Sequence, residues 1–337
     1  GRYKEAQEWL RSFLESESNN PEALSLLSQV LLLDKKDAES EKMLSTAASL
    51  NSELPSIYRN QARLLLKQSK PAEALEKALS GYKRSPNDPE SSLVLVACLR
   101  ANQRDQEALS LIEKVLETNP NYAEAFANRA LIRFQAKDIL GAIKDAEMTV
   151  SIKPHLTQIW GLLGSLRYKI NNLPGAIEAL KNAHENEPHN VDYMIDLGEF
   201  LRQDNKVGEA IVILEDSTQL APSNAKAWIN LGVALQQDQK TDSAKKAYEK
   251  ALTIVPKSVE VLNNLGVIAN STEDWMSALE YFGNALEISP NIAEVHNNLG
   301  TALQEVDRLP EAEASFRKAI ALKPNYAEAH SNLGNTL

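Results

Sequence analysis

Asn230, Asn264, Asn298 and Asn332 follow one another at a constant spacing of 34 residues. A carboxamide is donor and acceptor at once, so it can pair with the N–H and C=O of a peptide without reading its side chains. A row of them is therefore a means of gripping a polypeptide by its backbone. Asn60 and Asn128 fall in the same series further back, Asp196 interrupts it, and Asn263 and Asn297 stand beside two of its members. A second grouping is cationic. Arg59, Arg63 and Lys67 share one helical face with Asn60, and Arg100 is expected to join them. Cations converging in an otherwise acidic chain form an anion site for a peptide carboxylate or acidic side chains. The ordinary alternative is a solvated charged face. Catalytic chemistry finds no footing. His296 and His330 lie 34 residues apart with no third metal ligand at suitable spacing. Cys98 sits in an apolar stretch as an inert buried thiol. There is no glycine-rich phosphate loop. No catalytic residue, metal or cofactor is expected.

The spacing that unites the asparagines runs through the whole chain. Pro86, Pro120, Pro154, Pro188, Pro222, Pro256, Pro290 and Pro324 are each 34 residues apart, the mark of a repeat architecture. With proline as position 32, complete repeats span 21–54, 55–88, 89–122, 123–156, 157–190, 191–224, 225–258, 259–292 and 293–326. Residues 1–20 are the second half of an earlier repeat and 327–337 the first helix of a later one. Position 20 is Ala in nearly every repeat, with Ser40 the exception. Position 8 is Gly at Gly164, Gly198, Gly232, Gly266, Gly300 and Gly334. Positions 4, 7, 8 and 11 share one helical face, as do 20, 24 and 27, so each repeat reads as two amphipathic helices, A and B, of about 13 residues. The small residues at 8 and 20 let the two helices approach, and proline 32 stops helix B. Capping signals open helix A at Asn20-Pro21-Glu22 and Asp88-Pro89-Glu90, and Asn121, Asn291 and Asn325 are each followed three residues later by Glu. The fold class is all-α, a single solenoid over 1–337. Ser28, Ser40 and Val96 break the Gly/Ala rule, so the first repeats are expected to pack less regularly.

This pattern resembles the tetratricopeptide repeat (TPR) family over the entire chain. Its W-x2-L-G signature stands at Trp160-Gly-Leu-Leu-Gly164 and Trp228-Ile-Asn-Leu-Gly232. The resemblance implies a right-handed superhelix of helix-turn-helix hairpins in which positions 2, 5, 6, 9, 12 and 13 of helix A line a concave groove holding extended peptides. It is this implication that brings the asparagine row and the cations into the groove, beside the more apolar Leu26, Leu33, Leu93 and Val94. The row is similar to the asparagine ladder of O-linked N-acetylglucosamine transferases, whose repeat arm holds substrate proteins. Asn at this position also serves local hydrogen bonding in the family. The cations share the idea of the carboxylate clamp of chaperone-binding members but not its residue order. Residues 320–334 resemble bacterial multi-repeat arrays, which often precede glycosyltransferase or sulfotransferase domains.

Composition narrows the partners. A net charge of −10 disfavours nucleic acid, and no apolar run approaches the roughly 20 residues of a membrane span. One cysteine excludes an internal disulfide. The expected function is a non-enzymatic scaffold that binds a protein or peptide segment, with cytoplasm the favoured compartment. Two alternatives stand beside it: the recognition arm of a larger enzyme, and an assembly scaffold that uses its convex face. The chain opens at Gly1 in mid-repeat and closes in mid-helix at Leu337, so a segment of a longer polypeptide and weak head-to-tail association of its ends are expected. Joint replacement of the four regularly spaced asparagines by Ala is expected to weaken binding and leave Tm nearly unchanged.

Overall fold

The computed structural model describes residues 2–337; Gly1, placed in the first partial repeat, lies outside them. The described residues form helices throughout, without a strand, in two compact units, one running to Ile170 and the other Asn171–Leu337. The first holds α1 (Arg2–Ser16), α2 (Pro21–Leu33), α3 (Asp37–Leu50), α4 (Pro55–Lys67), α5 (Pro71–Arg84), α6 (Pro89–Ala101), α7 (Asp105–Thr118), α8 (Ala123–Gln135), α9 (Ile139–Ile152) and α10 (Thr157–Lys169). The second holds α11 (Leu173–Asn186), α12 (Val191–Gln203), α13 (Val207–Leu220), α14 (Ala225–Gln237), α15 (Thr241–Ile254), α16 (Val259–Ser271), α17 (Trp275–Ile288), α18 (Ala293–Glu305), α19 (Leu309–Leu322) and α20 (Ala327–Thr336). Even-numbered helices are A helices and odd-numbered ones B helices. Within each unit consecutive helices pack antiparallel around cores of Leu, Ile and Ala, such as Leu197, Leu201, Leu214, Leu231 and Tyr248.

The small residue at position 8 has a more specific cause than close helix approach. A methyl group built on Gly232 would lie 2.5 Å from Cε1 of Tyr248, and one on Gly300 2.6 Å from Cε1 of Phe316. Position 8 makes room for the large side chain at position 24 of the same hairpin. Where position 8 is Ala62 or Ala130, position 24 is Ala78 or Ala146, and all four are buried. The pairing is not universal: Val96 and Ile112 hold the same two positions, and both are buried.

The A-to-B turns within each unit are closed the same way. The backbone N–H of Lys36, Lys70 and Lys240 donates to the carbonyl five residues back at 2.9 Å, which satisfies a carbonyl left over at the helix end. That closure needs one residue in the left-handed region. It is Lys35, Ser69, Gln103, Lys137, Asn171, Asn205, Gln239, Glu273 and Asp307, all at position 15 and none of them Gly. A side chain costs about 1–2 kcal/mol in that region, and Asn tolerates it best. Gln239→Gly is therefore expected to raise stability by about 0.5–1 kcal/mol after the extra chain entropy of Gly is subtracted. Asn205→Gly should change it far less, and urea unfolding of both variants checks the difference.

Helix A opens on side-chain caps at Asn20, Asp88, Asn190, Asn224 and Ser258. Asn121, Asn291 and Asn325 do not cap: the cap positions are Tyr122, Ile292 and Tyr326, with no side-chain bond. Position 4 ties the start of helix A to the preceding turn instead. Trp160 and Trp228 donate Nε1–H to the carbonyls of Pro154 and Pro222 at 2.7 and 2.9 Å. His296 and His330 reach the carbonyls of Pro290 and Pro324 through Nε2, both at 2.9 Å. These histidines thus fasten turns. No group of three or more metal-ligating side chains occurs among the described residues.

The first repeats keep the helix register of the others. Both serine hydroxyls are satisfied: Ser40 Oγ donates to the Ser28 carbonyl at 2.9 Å and Ser28 Oγ donates to the Ser25 carbonyl at 2.6 Å. The hydroxyls fill the place of Gly and Ala with bonded polar groups, which buried hydroxyls require.

Candidate functional site

The candidate site is the face formed by successive A helices, taken in each unit by itself. In the second unit position 6 places Asn230, Asn264, Asn298 and Asn332 half-buried on α14, α16, α18 and α20. They are not equivalent. Asn298 Nδ2 donates to Asn263 Oδ1 at 3.0 Å, and Asn332 Nδ2 donates to Asn297 Oδ1 at 3.1 Å. Each bond runs from position 6 to position 5 of the preceding repeat and ties neighbouring hairpins together. Asn297 is fully buried and donates onward to Glu328 at 3.1 Å. Asn264 stands near the hydroxyl of Tyr248, whose pKa burial and the Glu260 charge push up while Arg202 and Asn264 pull the other way. Asn230 makes no hydrogen bond among the described residues, and it lines a cleft of about 870 Å³ with Ile229, Ala225 and Val255. Asp196, the interruption, accepts from Lys226 at 2.9 Å.

A carboxamide that spends one N–H on its neighbour keeps its other N–H and its oxygen. Asn298 and Asn332 thus retain the means to bind a peptide group while also holding repeats together. Their replacement by Ala removes both roles, so the fourfold variant should lose stability as well as binding, at about 1 kcal/mol per lost bond.

The first unit is different. Asn60, expected on the face, is 1% exposed. Its Nδ2 is taken by the Ser25 carbonyl at 2.9 Å and by Ser28 Oγ at 3.2 Å, again toward the preceding repeat. Asn128 donates to the Glu124 carbonyl one turn back, at 2.8 Å. Both carboxamides serve the fold. The cations do not converge on open space either. Arg59 donates to Asp88 and lies 3.2 Å from Glu90, Arg63 donates to Glu90 at 2.7 Å, and Lys67 donates to Asp37. Their positive charge is met by carboxylates of the adjoining elements, so an added anion would have to displace these pairs. The Arg100 side chain has no ion-pair or hydrogen-bond partner among the described residues, and its Nε is buried. Burial lowers its pKa, and the charge of Asp105 opposes that.

Asp88 is the centre of this network. It caps α6 through the N–H groups of Glu90 and Ser91, accepts Ser91 Oγ at 2.7 Å, and pairs with Arg59. Burial alone would raise the carboxyl. The Ser91 hydroxyl, the Arg59 charge and the two backbone N–H groups outweigh it and hold the pKa below the ordinary carboxylate range. A lowered folded-state pKa means that the unfolded chain binds more protons. The stabilisation by Asp88 is therefore complete above about pH 4 and is lost as pH falls through the lower folded value. Asp88→Ala is expected to cost about 1–3 kcal/mol at neutral pH. The gap from wild type should close as unfolding is followed downward from pH 5, and a gap independent of pH would count against the assignment.

Cys98 is buried, and burial pushes its thiol up to about 12, so the thiolate is scarce at neutral pH. No helix among the described residues is long and apolar enough to cross a membrane.

Antiparallel hairpins of 13- and 14-residue helices on a 34-residue period, with small residues at 8 and 20, define a helical repeat protein. The chain belongs to the tetratricopeptide repeat family. Residues 59–123 and 257–325 match tetratricopeptide repeat descriptions, and residues 149–262 match the TPR domain of cytochrome c-type biogenesis protein H. Among solved structures, the APC/C hetero-tetramer Cut9–Hcn1 has 18% identity and a TM-score of 0.53, with 94% of this chain and 63% of that chain covered. PilF of Pseudomonas aeruginosa has 18% identity and a TM-score of 0.55, with 63% of this chain and 97% of that chain covered. Likenesses at that identity concern the fold. Among curated proteins, the human protein O-mannosyl-transferase TMTC3 is 28% identical over 153 residues, 45% of this chain. The match spans only 17% of the length of that relative.

Proposed function

We propose that the chain is a protein-interaction module that holds an extended polypeptide segment on the A-helix face of its second unit. The observation that carries this reading is the row of carboxamides at one helical position. The Asn230 side chain is uncommitted, and Asn298 and Asn332 keep an oxygen and an N–H beyond their bonds to Asn263 and Asn297. The partner is gripped by its peptide groups, with the side chains of the module held still by the repeat-to-repeat bonds. Rigid, pre-ordered donors lose little entropy on binding.

The test is selection of a displayed random peptide library on the whole chain, followed by calorimetry of a recovered peptide. Asn230→Ala should weaken it by about tenfold, the worth of one or two hydrogen bonds. Asn284→Ala on α17, an exposed B-helix position, should leave it unchanged. Equal affinity for wild type and Asn230→Ala removes the proposal.

A second reading is supported by the stretch similar to protein O-mannosyl-transferase TMTC3: the module serves as the recognition arm of a glycosyl-transferring enzyme. On this reading, transfer to a protein acceptor by the full polypeptide falls with Asn230→Ala, while turnover of a small acceptor does not.

A further inference from the structure

We infer that the cleft beside Ile229 receives one aliphatic or aromatic side chain of the bound segment, and that Asn230 takes the peptide group next to that side chain. This rests on the peptide-holding reading above and adds a sequence preference to it.

The cleft lies beside a place where a rung is missing. In the next two repeats, position 5 is Asn263 and Asn297, and each accepts a bond from position 6 of the following repeat. At the corresponding place stands Ile229, which has no acceptor. Asn264 therefore has no side-chain acceptor across the gap. The cleft has a volume of about 870 Å³, with Ala225, Ile229, Val255 and Pro256 as its apolar lining. Lys226, Lys257 and Glu260 stand at its rim, and Lys226 is itself paired with Asp196 at 2.9 Å. These two cations and two carboxylates cancel. A charged side chain would lose hydration in the cleft with no net opposite charge to meet it, whereas an apolar one gains by leaving water. The open carboxamide of Asn230 at the same cleft selects a polypeptide over a lipid chain, since it offers the donor and acceptor that a peptide group matches.

The experiment uses the peptides recovered from the displayed random library and the whole chain. The recovered sequences should share one apolar position. Changing that residue to Ser should weaken binding to wild type by about 10- to 100-fold. Ile229→Asn supplies the missing acceptor and a polar floor, and should weaken the parent peptide to a similar degree. The Ser peptide should then lose little more on that variant. Ile229→Leu should bind nearly as wild type. If Ile229→Asn does not fold, methyl NMR of wild type replaces it: the peptide must move the Ile229 and Val255 methyl signals. Recovered peptides without a shared apolar position, a Ser penalty equal on wild type and Ile229→Asn, or unmoved methyls each overturn the pocket and leave the peptide-holding reading standing. A library that yields no binder overturns that reading and the pocket with it.

Discussion

Asp145→Ala is expected to destabilise the hairpin of α8 and α9 by about 3–5 kcal/mol, the usual penalty for removing one partner of a buried ion pair. Asp145 is 1% exposed on α9. Arg129 grips it with two parallel bonds, Nε at 2.9 Å and Nη2 at 2.7 Å, and Arg133 Nη1 adds a third at 2.7 Å. The arginines occupy positions 7 and 11, which in the preceding repeat are Leu95 and Leu99, and Asp145 stands where that repeat has Leu111. Two guanidiniums and a carboxylate have thus replaced an apolar triad. Alanine would leave two partly buried cations around an empty site. Arg133 would keep only the Gly141 carbonyl at 3.3 Å and Asp138 at 3.7 Å. Arg129 would keep its position over the Phe126 ring. Asp145→Asn retains a polar acceptor and should cost less. Simultaneous change of all three to Leu should be neutral or stabilising, because the desolvation of the ions disappears with them. Stacked repeats unfold region by region, so amide hydrogen exchange in α8 and α9 is the measurement. A loss of protection below about 1 kcal/mol for Asp145→Ala would show the triad to be solvated in the manner of a surface pair.

The period, the two helices of each repeat and the small residues at 8 and 20 were legible because they depend on residue type at a fixed position. The left-handed residues at position 15 were not. Lys35, Gln103 and Gln239 carry no glycine signal, and only the closure five residues back forces the conformation on them. The asparagine row was visible as a row, but its commitments were not. Whether a position-6 carboxamide finds a partner depends on position 5 of the repeat before it: Ser25, Asn263 and Asn297 supply partners, whereas Ile195, before Asn230, and Ile229, before Asn264, do not. That is a 35-residue relation, one step off the period that set the register. The cations failed as an open patch for a similar reason. Reading α4 alone shows Arg59, Arg63 and Lys67 but not Asp88, Glu90 and Asp37 on the adjoining elements.

Gly232→Ala and Gly283→Ala are expected to change stability in opposite directions, although both put the same methyl group on a helix. Ala gains about 1 kcal/mol over Gly in a helix interior. At Gly283 on α17 an added Cβ meets nothing within 4 Å, so that gain should appear nearly whole. At Gly232 on α14 the same atom would lie 2.5, 2.7 and 2.9 Å from Cε1, Cδ1 and Cζ of Tyr248. The ring cannot easily yield. It is fully buried, and its hydroxyl donates to Gln236 at 3.1 Å. Overpacking of this kind costs about 1–3 kcal/mol, and with three ring carbons inside contact distance the upper end applies. The net loss for Gly232→Ala should be about 2 kcal/mol once the helix gain is subtracted. Tyr248→Ala on its own opens a cavity at a cost of about 3–5 kcal/mol. Together the two changes recreate the combination that Ala62 and Ala78 already occupy in an earlier repeat, so the clash term vanishes. The double variant should then be more stable than the sum of the single losses predicts, by about 1–3 kcal/mol of coupling. Urea unfolding of the four proteins in this cycle, with Gly283→Ala beside them, decides the matter. Additive losses at positions 232 and 248 would mean that the glycine is there for something other than the ring it faces.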